Sequence, residues 1–93
     1  MTNKEGFVEV KLLFFGKTRE IIGEEMSTKY LPNNIKIKEL YSLIFEQHCP
    51  LLLPIKNSCI LAVDQTYLDI SNDEEIILHG HSEIAIIPPI SGG

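Results

Sequence analysis

The sequence predicts an α+β fold: a mixed sheet, one main helix packed on a single face of it, and an extended C-terminal Gly-Gly tail. Three observations carry the prediction. In "FVEVKLLFFG" apolar and polar residues alternate, the period of a strand with one buried face. Ile37, Leu40, Tyr41 and Ile44 fall at i, i+3, i+4 and i+7, the apolar stripe of an amphipathic helix. The first and last strand-like runs are the most apolar, so they form the central pair, parallel through a crossover that contains the helix.

In the first strand Val8, Val10, Leu12 and Phe14 face one way, and Glu9 and Lys11 the other. Leu13 and Phe15 break the pattern, being apolar on the wet face. "KTREIIG" gives a short helical turn closed by Gly23. "EEMSTKYL" is a second strand, near enough to the first to pair with it as a hairpin. Pro32-Asn33-Asn34 marks a turn, and the main helix follows over 36–48, stopped by Pro50. "PLLLPIKNS" holds two prolines and reads as a loop packed under the domain. "CILAVDQTYL" is a third strand with Cys59, Leu61 and Val63 on one face. "DISNDEE" is an acidic turn, "IIL" a short edge strand, and Gly80 another turn. In the last strand, "SEIAIIPPI", Ile84 and Ile86 oppose Ala85 and Ile87, and the prolines end the ladder because neither can donate a hydrogen bond. No repeat or linker interrupts the chain, so 1–93 is a single domain with a flexible tail over 88–93. This order of elements is the outline of a β-grasp, or ubiquitin-like, domain.

Composition narrows the function. A formal charge of −5 argues against broad nucleic-acid binding, which needs a basic surface to displace counterions. "MTNKEGF" is polar and does not resemble a signal peptide, and no apolar run approaches a membrane span. Cys49 and Cys59 form no CxxC motif, which points to a cytosolic chain with reduced thiols, Cys59 serving as a small core residue. His48, His79 and His81 are the only histidines; "HGH" lacks third and fourth ligands at suitable spacing, so no metal site is expected. No phosphate-cradling glycine motif is present.

The tail is the remaining candidate for chemistry. In "IPPISGG" the pair Pro88-Pro89 fixes φ twice and makes a stiff spacer. Ile90 is an apolar anchor beyond it, Ser91 follows, and Gly92 and Gly93 are slim enough to enter a narrow channel. The reactive group at the tip is the Gly93 carboxylate, anionic at neutral pH and a poor electrophile until activated. As an acyl-adenylate it could react with a sulfur donor to give a thiocarboxylate, or with an amine to give an isopeptide bond. The residues permit both outcomes.

"VKLLFFGKTREIIG", "LAVDQTYL" and "EIAIIPPISGG", in this order and spacing from about Val8 to Gly93, resemble the molybdopterin synthase small-subunit family, in its eukaryotic form. The ending is the most specific part. The sulfur carriers of thiamine synthesis and tRNA thiolation share Gly-Gly but usually lack the preceding Pro-Pro. One departure precedes the last strand, where the family often has Gly-Asp-Glu and this chain has His81-Ser82-Glu83. The resemblance implies that an E1-like enzyme consumes ATP to adenylate Gly93, with no cofactor bound permanently, and that sulfur then replaces AMP. It implies that the tail, Pro88, Pro89, Ile90, Ser91 and Gly92, inserts into a large catalytic subunit within a heterotetramer. There it gives sulfur to cyclic pyranopterin monophosphate, two carriers per molybdopterin. The chain alone would be a carrier and not an enzyme. The competing readings are a ubiquitin-like modifier, a carrier for tRNA thiolation or thiamine synthesis, and a β-grasp module with an inert tail.

The residues point to a docking surface beside the tail. Leu13, Phe15 and Ile87 are apolar where alternation places water, and Tyr67 follows a strand end. Together they make a partner interface; the alternative is that Leu51-Leu52-Leu53 covers them.

Overall fold

The alternation of the first strand is realised in β1 (Phe7–Phe14), which buries Val10, Leu12 and Phe14. The computed structural model describes Gly6–Pro89, so the expectations for Ile90, Ser91, Gly92 and Gly93 fall on residues outside the described range. After β1 comes the short helix α1 (Gly16–Ile22), closed by Gly23 in the left-handed conformation at φ 84°. Strand β2 (Met26–Pro32) returns antiparallel to β1, in register from Phe7 opposite Pro32 to Leu13 opposite Met26. The expected hairpin is therefore present, with a helix inside its connection.

A turn at Asn33 leads into β3 (Asn34–Lys36), which the sequence did not disclose. It pairs with β6 (Glu75–Ile77) as a separate two-stranded sheet, so the "IIL" edge strand pairs away from the main sheet. The main helix starts as α2 (Ile37–Ser42) and continues as a π-helical segment, Leu43–His48. Ile37, Leu40, Tyr41 and Ile44 are buried as their spacing predicts. The π turn has a clear packing cause. In an α-register His48 would lie one turn beyond Ile44 and enter the core. Instead the Cys49 N–H donates to the Ile44 carbonyl at 2.7 Å, five residues back. The buried position goes to Cys49, a small soft side chain, and His48 stays half-buried.

The stretch "PLLLPIKNS" is not a loop but a 3₁₀ helix, Pro50–Ser58, beginning on a proline whose missing N–H would have had no helical partner. Only Leu52 of its three leucines is buried; Leu51 and Leu53 are exposed. "CILAVDQTYL" is not one strand but a hairpin of β4 (Ile60–Val63) and β5 (Thr66–Tyr67). Its turn residues Asp64 and Gln65 both have positive φ, 49° and 74°, the primed geometry that matches strand twist, here adopted without glycine.

Strand β7 (Glu83–Ile87) lies at the centre of a five-stranded sheet ordered β2-β1-β7-β4-β5. It runs parallel to β1, with Lys11 opposite Glu83 and Phe14 opposite Ile86, and antiparallel to β4. The first and last strands thus form the expected parallel pair. Val10, Leu12, Leu61, Ile84 and Ile86 project from one sheet face onto Leu40, Ile44 and Phe45 of the helix, closing one core. Where the Tyr41 ring enters, its hydroxyl accepts the Leu61 N–H at 3.0 Å.

The turn before β7 answers the departure in sequence. His81 sits at φ 70°, the left-handed backbone that glycine adopts most cheaply. Asp64 anchors the turn: one carboxylate oxygen accepts the Ser82 hydroxyl and the other the Glu83 N–H, each at 2.9 Å. The Ser82 oxygen in turn accepts the His79 N–H at 2.9 Å. His81 thus takes a left-handed turn without glycine, and the anchoring carboxylate comes from the β4–β5 hairpin. Replacing Asp64→Ala should lower stability by about 1.5 kcal/mol, because it strips a charged acceptor from two donors. A chemical denaturation series on both proteins measures this, and an unchanged midpoint would count against the anchor.

Burial, with a smaller contribution from Lys29, pushes the His48 pKa below its usual value of 6.5. The folded chain therefore binds this proton less tightly than the unfolded chain. The stability that His48 contributes is present above about pH 6.5 and declines as pH falls below it. His48→Gln should make the melting temperature less dependent on pH between about pH 7 and 5. Superimposable pH profiles would exclude His48 as the source.

Candidate functional site

Directly paired residues project from the same sheet face, so the register defines what lies opposite the helix. Met26, Leu13, Ala85, Ala62 and Tyr67 are successive partners across all five strands, an apolar row on the face away from the core. A second pair, Ile87 opposite Ile60, lies next to it at the end of β7. The row is not evenly open: Ala62 is only 4% exposed while Tyr67 is 71% exposed.

β7 ends here. Beyond Ile87 come Pro88, half-buried, and Pro89, exposed. Both line an open groove of about 730 Å³ together with Ile60, Tyr67, Ile70 and Ile87. Its floor includes Tyr41 and Cys59, whose pKa values burial pushes up, so both stay neutral at physiological pH. Its rim carries Asp69, held below the usual carboxylate range by hydrogen bonds from the Ser71 hydroxyl at 2.6 Å and the Ser71 N–H at 3.0 Å. The groove is therefore apolar with a single fixed negative charge at its edge. On the other side of the prolines lies a second depression, lined by Gly16, Lys17, Glu20 and Ile55. The root of the tail is a ridge between the two.

The predicted interface residues divide accordingly. Tyr67 and Ile87 meet in the groove, with Pro88 and Pro89. Leu13 is half-buried on the same sheet face, one strand over from Ile87. Phe15 is 44% exposed, at the start of α1, and does not line the groove. Leu51 and Leu53 project into solvent, and Tyr67 and Phe15 remain exposed, so the 3₁₀ helix does not cover those two side chains. Sequence reading missed Met26, Ile60 and Ile70, all exposed and apolar. Ile60 carried a legible signal, since it has the opposite parity to the buried Leu61. Ile70, inside an acidic turn, carried none.

Among the described residues no three His, Cys, Asp or Glu side chains converge as metal ligands. No helix among them is long and apolar enough to cross a membrane.

These features define a β-grasp domain whose central strand runs out into a proline-stiffened terminus beside an apolar sheet face. The chain belongs to the ThiS family, whose model matches residues 12–93. It is 40% identical over 85 residues to the molybdopterin synthase sulfur carrier subunit of Homo sapiens, covering 91% of this chain and 94% of that one. It is 42% identical to the protein of the same name from Anopheles gambiae, with full coverage of both. Among solved structures it resembles a complex of subunits 1 and 2 of the molybdopterin-converting factor from Helicobacter pylori. That match has a TM-score of 0.61 and 27% identity, over 92% of this chain and 100% of the other. The likeness read from "IPPISGG" is thus borne out at the level of the family and of its named eukaryotic relatives.

Proposed function

We propose that this chain is the sulfur carrier subunit of a molybdopterin synthase, acting in the cytosol through its Gly93 carboxylate. The observation that carries the reading is the position of Pro88 and Pro89, which leave the sheet beside an uncovered apolar groove, in a member of the ThiS family. A terminus meant for another protein's active site needs a docking face at its root, so that binding energy from the face pays for threading the tail.

The chemistry follows from the carboxylate. An oxygen of Gly93 attacks the α-phosphorus of ATP in an E1-like enzyme, and pyrophosphate leaves. A sulfur nucleophile at the oxidation level of sulfide adds to the acyl carbon and expels AMP, which leaves a thiocarboxylate. In the large subunit this sulfur attacks a carbon of cyclic pyranopterin monophosphate as a carbon–oxygen bond at that carbon breaks and the oxygen leaves; water then cleaves the resulting thioester, which leaves the sulfur on the pterin and returns the Gly93 carboxylate. Cys49 and Cys59 take no part. Both are buried thiols whose pKa burial raises, which is the opposite of a reactive thiolate. The large subunit would sit on the Leu13–Tyr67 row and the groove, in a heterotetramer.

Two experiments test the reading. After co-expression with an activating enzyme, intact mass should show one oxygen-to-sulfur exchange located at Gly93, and deleting Gly93 or fusing a tag after it should abolish transfer. Full transfer from a tagged chain would sink the carrier reading, and ladders on other proteins would indicate a modifier. For the docking face, Ile87→Asp, Ile60→Asp or Phe15→Asp should weaken large-subunit binding by about 2 kcal/mol, roughly thirtyfold, with melting little changed. Equal affinity in titration calorimetry would remove that residue from the interface.

A further inference from the structure

We infer that Thr18 and Gly16 are positioning residues that set the direction in which the C-terminal tail leaves the sheet. The inference rests on the carrier reading for its purpose and on geometry for its substance. β1 ends at Phe14, opposite Ile86, and the chain turns away into α1. β7 goes on by one residue, held on its other side by the pairing of Ile87 with Ile60. Where β1 departs, the ladder between the two strands is cut, leaving the Phe15 N–H and the Ile86 carbonyl without strand partners.

The Thr18 hydroxyl fills that cut. Its oxygen accepts the Phe15 N–H at 2.9 Å. Its single hydrogen lies within reach of the Phe15 carbonyl at 2.7 Å and the Ile86 carbonyl at 3.1 Å. Thr18 is fully buried, and among the described residues only Ser82 is another buried polar side chain. Capping a helix does not require that burial, nor a contact to a residue 68 positions away. Two residues earlier, Gly16 has φ 52°, and a Cβ placed on it would meet Pro88 Cγ at 3.3 Å. The bare backbone there is the seat of the Pro88 ring. The first turn of α1 therefore grips residues 86 and 88, β4 holds Ile87 between them, and the fixed φ of the prolines carries that orientation outward.

Leverage makes the grip consequential. Four residues follow Pro89 and span at most about 13 Å when extended. A swing of about 10° at the root displaces the end of such an arm by about 2 Å, while misplacement of about 1 Å can slow a positioned reaction by about a hundredfold. Thr18 is buried, so it cannot act by touching a partner.

The test uses full-length, thiocarboxylated carrier in single-turnover transfer with varied large subunit. Thr18→Val and Gly16→Ala should slow the saturated rate by about tenfold and shift the half-saturating concentration by less than about threefold, while Thr18→Ser stays within about twofold of wild type. A wild-type saturated rate in Thr18→Val, or a loss confined to half-saturation, would overturn the inference. Rates are compared on samples that melt above the assay temperature. If Thr18→Val does not fold, Gly16→Ala, which removes no hydrogen-bonding group, carries the same expectations. Residual dipolar couplings provide a readout that needs no sulfur. The Ile87 amide coupling should change in Thr18→Val and revert in Thr18→Ser, with Leu61 and Ile84 unmoved; an unchanged Ile87 coupling would overturn the clamp. If wild type accepts no sulfur, the carrier reading fails and the dipolar couplings alone decide the clamp.

Discussion

The parallel pairing of β1 with β7 is the constraint on which the rest of the molecule depends. Two parallel neighbours require a crossover between them, and here it contains every element from α1 to β6. The helical crossover must cover one sheet face, which fixes the core side for Val10, Leu12, Ile84 and Ile86. With β1 on one edge of β7 and β4 on the other, the last strand has no free edge until it ends. A central strand leaves such a sheet only once both ladders have ended, here with β1 at Ile86 and with β4 one residue later at Ile87. Two successive prolines do this without stranding a buried N–H, since they have none. The terminus therefore emerges from the middle of the sheet, flanked by apolar rows contributed by strands on either side.

Much of this was legible in the sequence, and the legible part has a common cause. Where one face is buried and the other is wet, period alone identifies the element and its inner residues, as for β1 and α2. The sheet centre was legible for a related reason, because strands covered on both edges and packed by a helix are the most apolar. The failures share a cause as well. β3 is three residues long, too short for a period to form, so the partner of the "IIL" edge strand went unseen. The β4–β5 turn uses Asp64 and Gln65 in a conformation usually marked by glycine, so "CILAVDQTYL" looked continuous. The 3₁₀ helix carried two prolines, which ordinarily signal a loop.

The candidate site was partly legible by exception. Leu13, Phe15 and Ile87 stood out because they broke the alternation, and the register explains why Leu13 and Ile87 do so: the face away from the helix is apolar too. Ala62, Ala85 and Met26 gave no such signal, since small or flexible apolar residues fit either face. The grip on the tail root could not be read at all. Thr18 and Gly16 are unremarkable in "FFGKTREIIG", and their significance arises only when residues 86 and 88 are brought against them.

The same parallel pair bears on how the molecule is made. β1 is synthesised early and must wait for a partner about 70 residues further on, so the core closes through a long-range contact that is slow to find. Until β7 arrives, β1 presents one unpaired edge and β4 another, both bordered by apolar side chains and prone to the wrong neighbour. A chain that stops short of β7 cannot complete the sheet. Folding is thereby coupled to the presence of the strand that bears the terminus.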